Sequence, residues 1–267
     1  MKKFNFKDKV VVITGSRMGI GKTLAIRIGE LGAKLVINAR NEDGLNKTKQ
    51  ELVNNGFEVL AVPGDVSKIE DCKKLINQTI KTYNKIDIVI NNAGLSAKGL
   101  LENCDLETYK KMVDVNLLGS VYMARIALPY IKKSSGSILF ISSLAGINGL
   151  PFYSSYSASK MAITAVAESL KIELNKQKVH VGVAYVSFTE NDPNKKFYNE
   201  KGELEVLPKR SNVKLMPVER TAQLIINQIR KRKFKVIHSG LGKLNWVMYK
   251  IFPKLIEFIL VKSMKKF

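Results

Sequence analysis

The chain has 267 residues, of which 45% are hydrophobic and 25% are charged, so it can bury the core of one large α/β domain. Its net charge of +21 would suit an anionic membrane surface, nucleic acid or a phosphorylated ligand. Nucleic acid is not expected as a partner, because there is no known nucleic-acid motif and no basic run interleaved with stacking aromatic residues.

The cysteines, the histidines and the first residues bear on compartment and metal content. Cys72 and Cys104 form no CxxC pair, which predicts free thiols in a reducing compartment. His180 and His238 lie far apart and have no metal-ligand spacing, so no metal site is predicted. Residues 1–6 lack the long apolar stretch and cleavage site of a signal peptide. We therefore expect a cytoplasmic protein.

Short apolar runs alternate with helical patterns along most of the chain. The predicted strands cover residues 10–14, 35–37, 57–61, 86–90, 137–141, 179–185 and 234–238. The predicted helices cover residues 19–31, 42–54, 68–82, 106–131, 155–175 and 217–231. Strands spaced by helices imply right-handed crossovers, so the pattern predicts a doubly wound parallel sheet of about seven strands with helices on both faces.

A glycine-rich turn joins the first strand to the first helix, and its residues are Thr14, Gly15, Ser16, Arg17, Met18, Gly19, Ile20 and Gly21. Glycine lets the backbone approach a pyrophosphate, and the helix N-terminus offers free N–H groups. The position in the first strand–helix unit predicts a dinucleotide site. Gly21, Lys22 and Thr23 also resemble the end of a P-loop, but that motif requires glycine where Ser16 stands, which makes an NTPase the minor alternative.

The end of the second strand bears on the choice of cofactor. An NAD site usually has an acidic residue here for the ribose 2′-hydroxyl, but residues 38–40 contain none. Arg40 stands there instead, and Arg17 lies in the glycine-rich turn. Guanidinium groups suit a dianionic 2′-phosphate, so NADP(H) is favoured over NAD(H), although either arginine could be a plain surface charge.

Tyr156 and Lys160 are four residues apart in a predicted helix, so their side chains lie one above the other on one face. A free phenol titrates near pH ~10, and a nearby ammonium favours the phenolate and brings its pKa toward neutrality. The same spacing arises by chance on solvated helices. The pair therefore gains meaning only from the motifs around it.

With these residues together, the chain resembles the short-chain dehydrogenase/reductase family over about residues 8 to 190. The motifs that carry the resemblance, in chain order, are Thr14-Gly-x-x-x-Gly-Ile-Gly21, Gly64-Asp65-Val66, Asn91-Asn92-Ala93-Gly94, Asn116 with Gly119, Ser142-Ser143, and Tyr156-x-x-x-Lys160. The resemblance implies a single-domain Rossmann fold over residues 1–240 that binds NADP(H). It also implies a homodimer or homotetramer formed through the helices at 106–131 and 155–175.

The resemblance further implies roles for individual residues. On the cofactor side, Asp65 would meet the adenine, and Asn91, Ala93 and Gly94 would shape the pocket beside the adenosine ribose. Val66 and Asn92 would also belong to the cofactor site. On the catalytic side, Ser143 would hydrogen-bond the substrate carbonyl oxygen, Tyr156 would transfer the proton, and Lys160 would hold the nicotinamide ribose and lower the pKa of Tyr156. Asn116 would order a water in the proton relay, or its amide could bond the helix backbone, and both roles could hold together.

After the sixth strand the chain departs from the family pattern. The family usually has Pro-Gly followed by Thr, whereas this chain has Val186, Ser187, Phe188 and then Thr189. That segment normally meets the nicotinamide carboxamide, so Thr189 is the candidate for this contact. The polar stretch at residues 187–216 is long for a compact domain and predicts a lid or substrate loop.

Residues 241–267 form a strongly apolar tail that Pro253 and several charges interrupt. It lacks the uninterrupted run of about 20 apolar residues of a spanning helix and predicts an amphipathic pair of short helices. The pair could pack on the domain or across a dimer interface. It could instead lie on the inner face of the membrane, helped by nearby cations, which are Arg230, Lys231, Arg232, Lys233, Lys262, Lys265 and Lys266.

Two functions of different classes remain, beside a third interpretation in which the chain is a membrane-surface protein whose enzyme fold is incidental. The first is an NADP(H)-dependent oxidoreductase that interconverts a ketone or aldehyde with an alcohol, with an apolar or lipid-like substrate suggested by the tail. The second is a cofactor-binding regulatory or scaffold protein that keeps the fold without turnover. Turnover by the intact chain, and its loss in Tyr156→Phe, would separate them.

Overall fold

The computed structural model of the protein describes residues 4–208 and 214–264. Seven parallel strands form the main sheet, namely β1 (Val10–Thr14), β2 (Lys34–Ala39), β3 (Val59–Pro63), β4 (Ile88–Asn91), β5 (Ser137–Ser143), β6 (His180–Val186) and β9 (Lys235–Ile237). Their order across the sheet is β3-β2-β1-β4-β5-β6-β9. The strand order reverses between β1 and β4, and open α/β sheets bind ligands in the crevice at such a point.

Helices cover both faces of this sheet. Within the described residues they are α1 (Gly19–Gly29), α2 (Glu42–Asn54), α3 (Ile69–Tyr83), α4 (Leu106–Met112), α5 (Gly119–Ser134), α6 (Ser154–Glu173), α7 (Val218–Arg230), α8 (Gly240–Ile251) and α9 (Pro253–Met264). One buried apolar cluster joins the sheet to α3, α5 and α6, and a second joins the other face to α1, α2 and α7. The predicted doubly wound sheet is confirmed.

The strand residues explain why the sheet is buried on both faces. All five residues of β1 are buried, and alternate side chains enter different clusters, with Val10 and Val12 on one face and Val11 and Ile13 on the other. A strand covered on both faces needs an unbroken apolar run rather than an alternating one. The run of β-branched residues in β1 meets that requirement.

The third strand lies two residues later than predicted, for a clear packing reason. The third strand was predicted at residues 57–61 and is found at Val59–Pro63. The N–H of Phe57 donates to the carbonyl of Leu52 (3.1 Å), so Phe57 belongs to the turn that ends α2. Its ring packs on Gly29, where a Cβ would lie 2.6 Å from a ring carbon. Phe57 therefore serves the helix-facing core and not the strand.

The predicted substrate loop contains structure that the sequence pattern did not indicate. Strands β7 (Lys196–Tyr198) and β8 (Leu204–Val206) pair as a short antiparallel hairpin. The N–H of Tyr198 donates to Ser96 and the N–H of Lys98 donates to Tyr198, both at 2.9 Å. The hairpin is thereby joined to the segment that follows β4. Residues 209–213 of the same predicted loop lie outside the described residues.

The end of the chain forms a helical hairpin of α8 and α9. The Ser239 side chain caps α8 by accepting from the Gly242 N–H at 3.1 Å. Gly242 packs on the body of the protein, where a Cβ would lie 2.5 Å from Leu144 and 2.9 Å from Ile237. Over the described parts of the chain, no helix combines the length and the apolar character needed to cross a membrane.

Candidate active site

The residues singled out in the sequence gather at the carboxyl edge of the parallel sheet. Gly15 follows β1, Arg40 follows β2, Asp65 follows β3, and Ser143 ends β5. Parallel strands share one carboxyl edge, so these positions border the crevice at the switch point between β1 and β4.

The glycine-rich turn is packed tightly at one end and open at the other. Gly15 and Gly19 have left-handed backbones, with φ of +64° and +53°. A Cβ on Gly15 would lie 2.7 Å from the Cα of Ala93, and one on Gly21 would lie 2.4 Å from the Gly15 carbonyl oxygen. At Gly19 the described residues leave the surrounding 4 Å open. The turn therefore leaves room for a ligand beside Gly19, at the start of α1.

Side chains at the ends of β1 and β4 hold the turn in place. The Thr14 hydroxyl accepts from the N–H groups of Asn92 and Ala93, both at 3.0 Å. The Asn92 amide donates to the carbonyls of Thr14 (2.9 Å) and Gly15 (3.0 Å). These contacts give Asn92 and Ala93 a supporting function for the turn. Thr14 itself was not predicted as a site residue, although it precedes the first glycine directly.

Ser16 is buried inside the turn. Its hydroxyl donates to the carbonyl of Ile13 (2.9 Å) and accepts from the N–H of Asn38 (2.9 Å), while its own N–H donates to the Asn38 carbonyl (3.0 Å). The Asn38 amide in turn donates to the Gly64 carbonyl at 3.1 Å. Ser16 therefore joins the ends of β1 and β2, and its polar groups face the protein. The Ile20 side chain packs against the same apolar cluster as α1.

Charged residues lie at the adenosine end of the predicted site. The Arg40 guanidinium lies 3.8 Å from an Asp65 carboxylate oxygen and its side chain is 55% exposed, so it is free to turn toward a ligand. Asp65 also accepts from the Ser67 N–H (2.9 Å) and hydroxyl (2.7 Å). The stem of Arg17 lies over Gly44 at the start of α2, which brings it to the side of the turn where Arg40 lies. Val66 is buried against Gly119.

Asn116 lies in a π-helical turn, Val113–Leu118, between α4 and α5. It is fully buried, and its amide accepts from the Leu95 N–H (2.7 Å) and donates to the Leu95 carbonyl (3.1 Å) and the Ser159 hydroxyl (3.0 Å). The predicted alternative, a bond to the backbone of its own helix, is replaced by bonds to the segment after β4. The amide thus ties that segment to α6, since Ser159 belongs to α6.

Lys160 is the buried cation of the site. It is 5% exposed, and its ammonium donates to the Ile141 carbonyl at 3.0 Å. It lies 5.8 Å from the centre of the Tyr156 ring. Gly94 makes room for it, because a Cβ there would lie 3.3 Å from the ammonium and 3.1 Å from the Asn116 amide oxygen. One neighbourhood therefore holds Gly94, Asn116, Tyr156 and Lys160.

Burial governs the ionisation of this lysine. Loss of hydration, followed by the positive charge of Lys195, lowers the pKa of Lys160 from 10.5 to about 8. A pKa of about 8 keeps most of the population protonated at pH 7. The site therefore holds an ammonium ion near a phenol, and the positive charge of Lys195, in the segment after β6, helps to lower the pKa of that ammonium.

Hydrogen bonds connect the remaining predicted residues to α6. The Ser159 hydroxyl donates to the Tyr156 carbonyl at 2.8 Å, which continues the connection from Asn116. The Ser142 hydroxyl donates to the Lys160 carbonyl at 3.1 Å and so attaches β5 to α6. The Ser143 hydroxyl accepts from the Ala145 N–H at 3.2 Å and its side chain is partly accessible. Ser159 was missed, although it lies inside the Tyr156–Lys160 motif.

Thr189 points into the protein. It is buried, and its hydroxyl donates to the Ser187 carbonyl (3.1 Å) and pairs with the Thr221 hydroxyl (3.0 Å). The backbone beside it bridges to Met216. These contacts occupy the hydroxyl that was expected at the carboxamide, so a contact there would fall to the backbone of this segment.

The open space at Gly19, the cleared space at Gly94 and the buried ammonium beside Gly94 fit a dinucleotide whose phosphates and ribose need N–H groups and a cation. The fold and site thus define the class of nicotinamide-dependent oxidoreductases with a doubly wound sheet. A family model described as short chain dehydrogenase matches residues 9–202. The chain belongs to the short-chain dehydrogenase/reductase family.

Several proteins are similar over most of this chain. The Arabidopsis thaliana protein 11-beta-hydroxysteroid dehydrogenase-like 2 is 32% identical over 260 residues, which cover 96% of this chain and 82% of that protein. The Sesamum indicum 11-beta-hydroxysteroid dehydrogenase A is 39% identical over 196 residues, 72% of this chain and 56% of that longer protein. The Dictyostelium discoideum dehydrogenase/reductase SDR family protein 7-like is 33% identical over 264 residues, covering 96% and 81%.

Two solved structures share the architecture. A short chain dehydrogenase/reductase from Burkholderia phymatum in complex with NAD superposes with a TM-score of 0.83 at 24% identity, covering 94% of this chain and 96% of that one. An alcohol dehydrogenase from Thermococcus sibiricus complexed with 5-hydroxy-NADP superposes with a TM-score of 0.76 at 26% identity, covering 86% and 96%. The first of these structures contains NAD and the second contains 5-hydroxy-NADP.

Gly15→Ala is expected to destabilise the protein. An L-residue in the left-handed conformation costs roughly 1–2 kcal/mol, and the added methyl would also press on the Ala93 backbone. Gly149→Ala is the matched control, since the described residues leave space there and φ is not positive. Urea unfolding should give a clear loss for Gly15→Ala and a change within about 0.5 kcal/mol for Gly149→Ala. Equal stabilities would contradict the packing described for Gly15.

Proposed function

We propose that the protein is an NADP(H)-dependent oxidoreductase that interconverts a ketone or aldehyde with an alcohol on an apolar, lipid-like substrate. The observation that carries the proposal is the Lys160 ammonium, buried at 5% exposure beside the Tyr156 ring and facing the space that Gly94 leaves. Burying a cation is costly, and a structural role would be met more cheaply by an apolar residue. Such groups cluster at functional sites.

Nicotinamide, when bound, supplies or accepts the hydride. In the direction of reduction, the Ser143 hydroxyl donates a hydrogen bond to the substrate carbonyl oxygen and holds it toward Tyr156. The Tyr156 hydroxyl then donates its proton to that oxygen as negative charge develops on it. In the direction of oxidation, the Tyr156 oxygen takes the proton from the alcohol. Positioned proton transfer of this kind contributes about 10²–10⁴-fold.

The role of Lys160 is to stabilise the phenolate that Tyr156 becomes and to donate hydrogen bonds to ribose hydroxyls. Its own bond to the Ile141 carbonyl fixes the direction of the side chain. Asn116 is attached to α6 by the hydrogen bond that its amide donates to Ser159. Its position in a π-helical turn supports a role in the proton relay, because such turns are frequent at functional sites. Tyr156, Ser143, Lys160 and Asn116 are therefore proposed to act as one unit.

The proposed cofactor contacts follow the crevice from one end to the other. The open N-terminus of α1 at Gly19 and Ile20 would receive the pyrophosphate, and Asp65 and Val66 would border the adenine. Gly15, Ser16, Gly21, Asn92 and Ala93 would shape the turn that receives it, mostly through contacts within the protein. Gly94 would admit the ribose near Lys160. Thr189 would hold the segment expected at the nicotinamide in place through its hydrogen bond with Thr221.

Support for an apolar substrate comes from the relatives and from the tail. Two of the similar plant proteins are named as 11-beta-hydroxysteroid dehydrogenases or as like them. In this chain the exposed apolar hairpin α8–α9 starts beside Leu144, which follows Ser143. Steroids and other rigid apolar ketones are accordingly the first substrates to test. The cytoplasmic location and the homodimer or homotetramer stay predictions.

A panel assay tests the proposed reaction. Ketones and aldehydes, including steroids, would be offered with NADPH or NADH, with and without detergent, while the absorbance of the reduced cofactor is followed. We expect turnover of apolar ketones with NADPH. Binding of NADPH without turnover of any compound would favour a regulatory or scaffold protein instead.

Arg40→Ser tests the choice of cofactor. Loss of a charge-assisted contact to the 2′-phosphate, worth about 1.5–3 kcal/mol, should raise the Kd for NADPH by roughly 10- to 150-fold. The Kd for NADH should change by less than about threefold, since NADH lacks that phosphate. Arg27→Ser is the control, because Arg27 pairs with Glu30 on the surface of α1. Tighter binding of NADH than NADPH by the unchanged protein would reject the NADP(H) assignment.

A further inference from the structure

The tail hairpin, defined as α8 and α9 (residues 240–264), is largely uncovered. Only Gly242 and Ile256 are buried in it. The hairpin carries many exposed apolar side chains. The most exposed are Leu241 (69%), Phe258 (64%), Ile251 (60%), Leu244 (57%) and Phe252 (54%). Apolar surface of this extent on one projecting element indicates a site of interaction.

Lysines are interspersed with these apolar side chains. The hairpin carries four lysines, Lys243, Lys250, Lys254 and Lys262, and one acidic residue, Glu257. On α9 the buried Ile256 marks the covered side of the helix. The opposite side carries Leu255 and Phe258 with Lys254 and Lys262 beside them, because these positions lie on the far half of the helix. The exposed face is therefore both apolar and cationic.

Charge decides between the two possible occupants, which are a lipid surface and a second copy of this chain. In a symmetric dimer the same patch meets itself, so two cationic hairpins would face each other. Lysine is also depleted from the centres of protein interfaces. At a bilayer surface, lysine stems lie along the apolar region while their ammonium groups reach the headgroups. We propose that the tail hairpin docks on the surface of an anionic bilayer.

Not all of the basic residues in this part of the chain take part. The Arg232 guanidinium donates to the backbone carbonyls of Ser135 (3.2 Å), Gly136 (3.4 Å) and Lys178. Those carbonyls precede β5 and β6, at the edge of the sheet opposite to the site. Arg232 is therefore a structural residue. Lys265 and Lys266 lie outside the described residues.

The hairpin begins at the carboxyl edge of the sheet, which also holds the candidate active site. Strand β9 ends at this edge, α8 begins three residues later, and Gly242 packs on Leu144. The Asn245 amide donates to the Asn148 amide oxygen at 3.0 Å, which fixes α8 to the segment between Ser143 and Tyr156. Docking would accordingly hold this edge near the lipid, and that consequence alone rests on the proposed function.

Co-sedimentation of the full chain with vesicles tests the proposal, without substrate or turnover. One set of vesicles is phosphatidylcholine and the other is phosphatidylcholine mixed with phosphatidylglycerol. We expect binding to the mixed vesicles that weakens with added salt and is at least about tenfold weaker on phosphatidylcholine alone. Lys254→Gln with Lys262→Gln should weaken binding about 30-fold, since each lysine near the surface contributes a factor of about five.

The apolar half of the face is tested by Leu255→Gln with Phe258→Gln, which should weaken binding at least about tenfold. Ile172→Gln is the control, because Ile172 is 76% exposed near the end of α6 and is not part of the hairpin. Circular dichroism checks that each variant is folded. The proposal is overturned if the full chain stays in solution with mixed vesicles at low salt. It is equally overturned if neither double variant weakens binding, or if the apolar variant only converts a dimer to a monomer in light scattering.

Discussion

Replacing Tyr156 with phenylalanine is expected to lower kcat/KM by about 10²–10⁴-fold, the range for loss of a positioned proton-transfer group. The ring would remain beside Lys160, whose ammonium keeps its bond to the Ile141 carbonyl. Binding of NADPH should therefore change little, by less than about threefold in Kd. Steady-state kinetics on a substrate from the panel and a fluorescence titration with NADPH measure the two effects separately.

Tyr130→Phe is the matched control for this change. Tyr130 lies near Lys9 and Asp87 at the opposite edge of the sheet, so losing its hydroxyl should leave kcat/KM unchanged. If Tyr156→Phe turned over substrate at the normal rate, Tyr156 would not be the group that transfers the proton. If the variant also failed to bind NADPH, the role of Tyr156 would be to bind the cofactor and not to transfer the proton.

Acidification is expected to destabilise the protein through two buried histidines. Burial lowers the pKa of His180 and of His238 from 6.5 to about 4. For His180 the nearby Arg232 adds to the effect and a bond to the Lys233 carbonyl opposes it, and for His238 Lys243 adds to it. Both rings are therefore neutral in the folded protein at pH 5, where they would be mostly protonated in the unfolded chain.

The direction of the effect follows from the proton balance. Between about pH 6.5 and pH 4 the unfolded chain binds more protons, so the free energy of unfolding falls as the pH falls through that window and is unaffected above it. From pH 7 to pH 5 each histidine should remove about 2 kcal/mol. The pair would remove about 4 kcal/mol, a large part of the 5–15 kcal/mol typical of a domain. Urea unfolding at a series of pH values measures it.

His238→Leu should reduce this pH dependence by about half. Neither ring nitrogen of His238 has a hydrogen-bond partner among the described residues, so the change removes no such bond from the ring. His180 is the harder position to replace, because its ring nitrogens contact the Ser137 hydroxyl (3.2 Å) and the Lys233 carbonyl (3.1 Å). An unchanged pH dependence in His238→Leu would show that this ring is not the neutral, buried group inferred here.

The sequence by itself determined the architecture of the sheet and the family. Buried parallel strands need unbroken β-branched runs, and a turn whose backbone approaches a phosphate needs glycine at fixed positions. Both requirements are therefore visible in the local sequence. Residues such as Gly15 and Gly19 and the Tyr156–Lys160 pair could therefore be found without coordinates.

Tertiary structure decided what these residues touch. The amide of Asn116 bonds Leu95 and Ser159, and the hydroxyl of Thr189 turns inward to Thr221, and these partners are far away in the chain. The short strand pair β7–β8 also depends on contacts with the segment after β4. Local pattern cannot specify such pairings, because they arise from the packing of distant segments.

The tail shows the same division. Its apolar and basic composition predicted helices and left their surroundings open, because burial is a property of the whole fold and not of a segment. Only the tertiary structure showed that α8 is fixed at Leu144 and Asn148 while Leu255 and Phe258 remain exposed beside lysines. The same holds for Lys160, where the spacing from Tyr156 was readable but the burial that lowers its pKa was not.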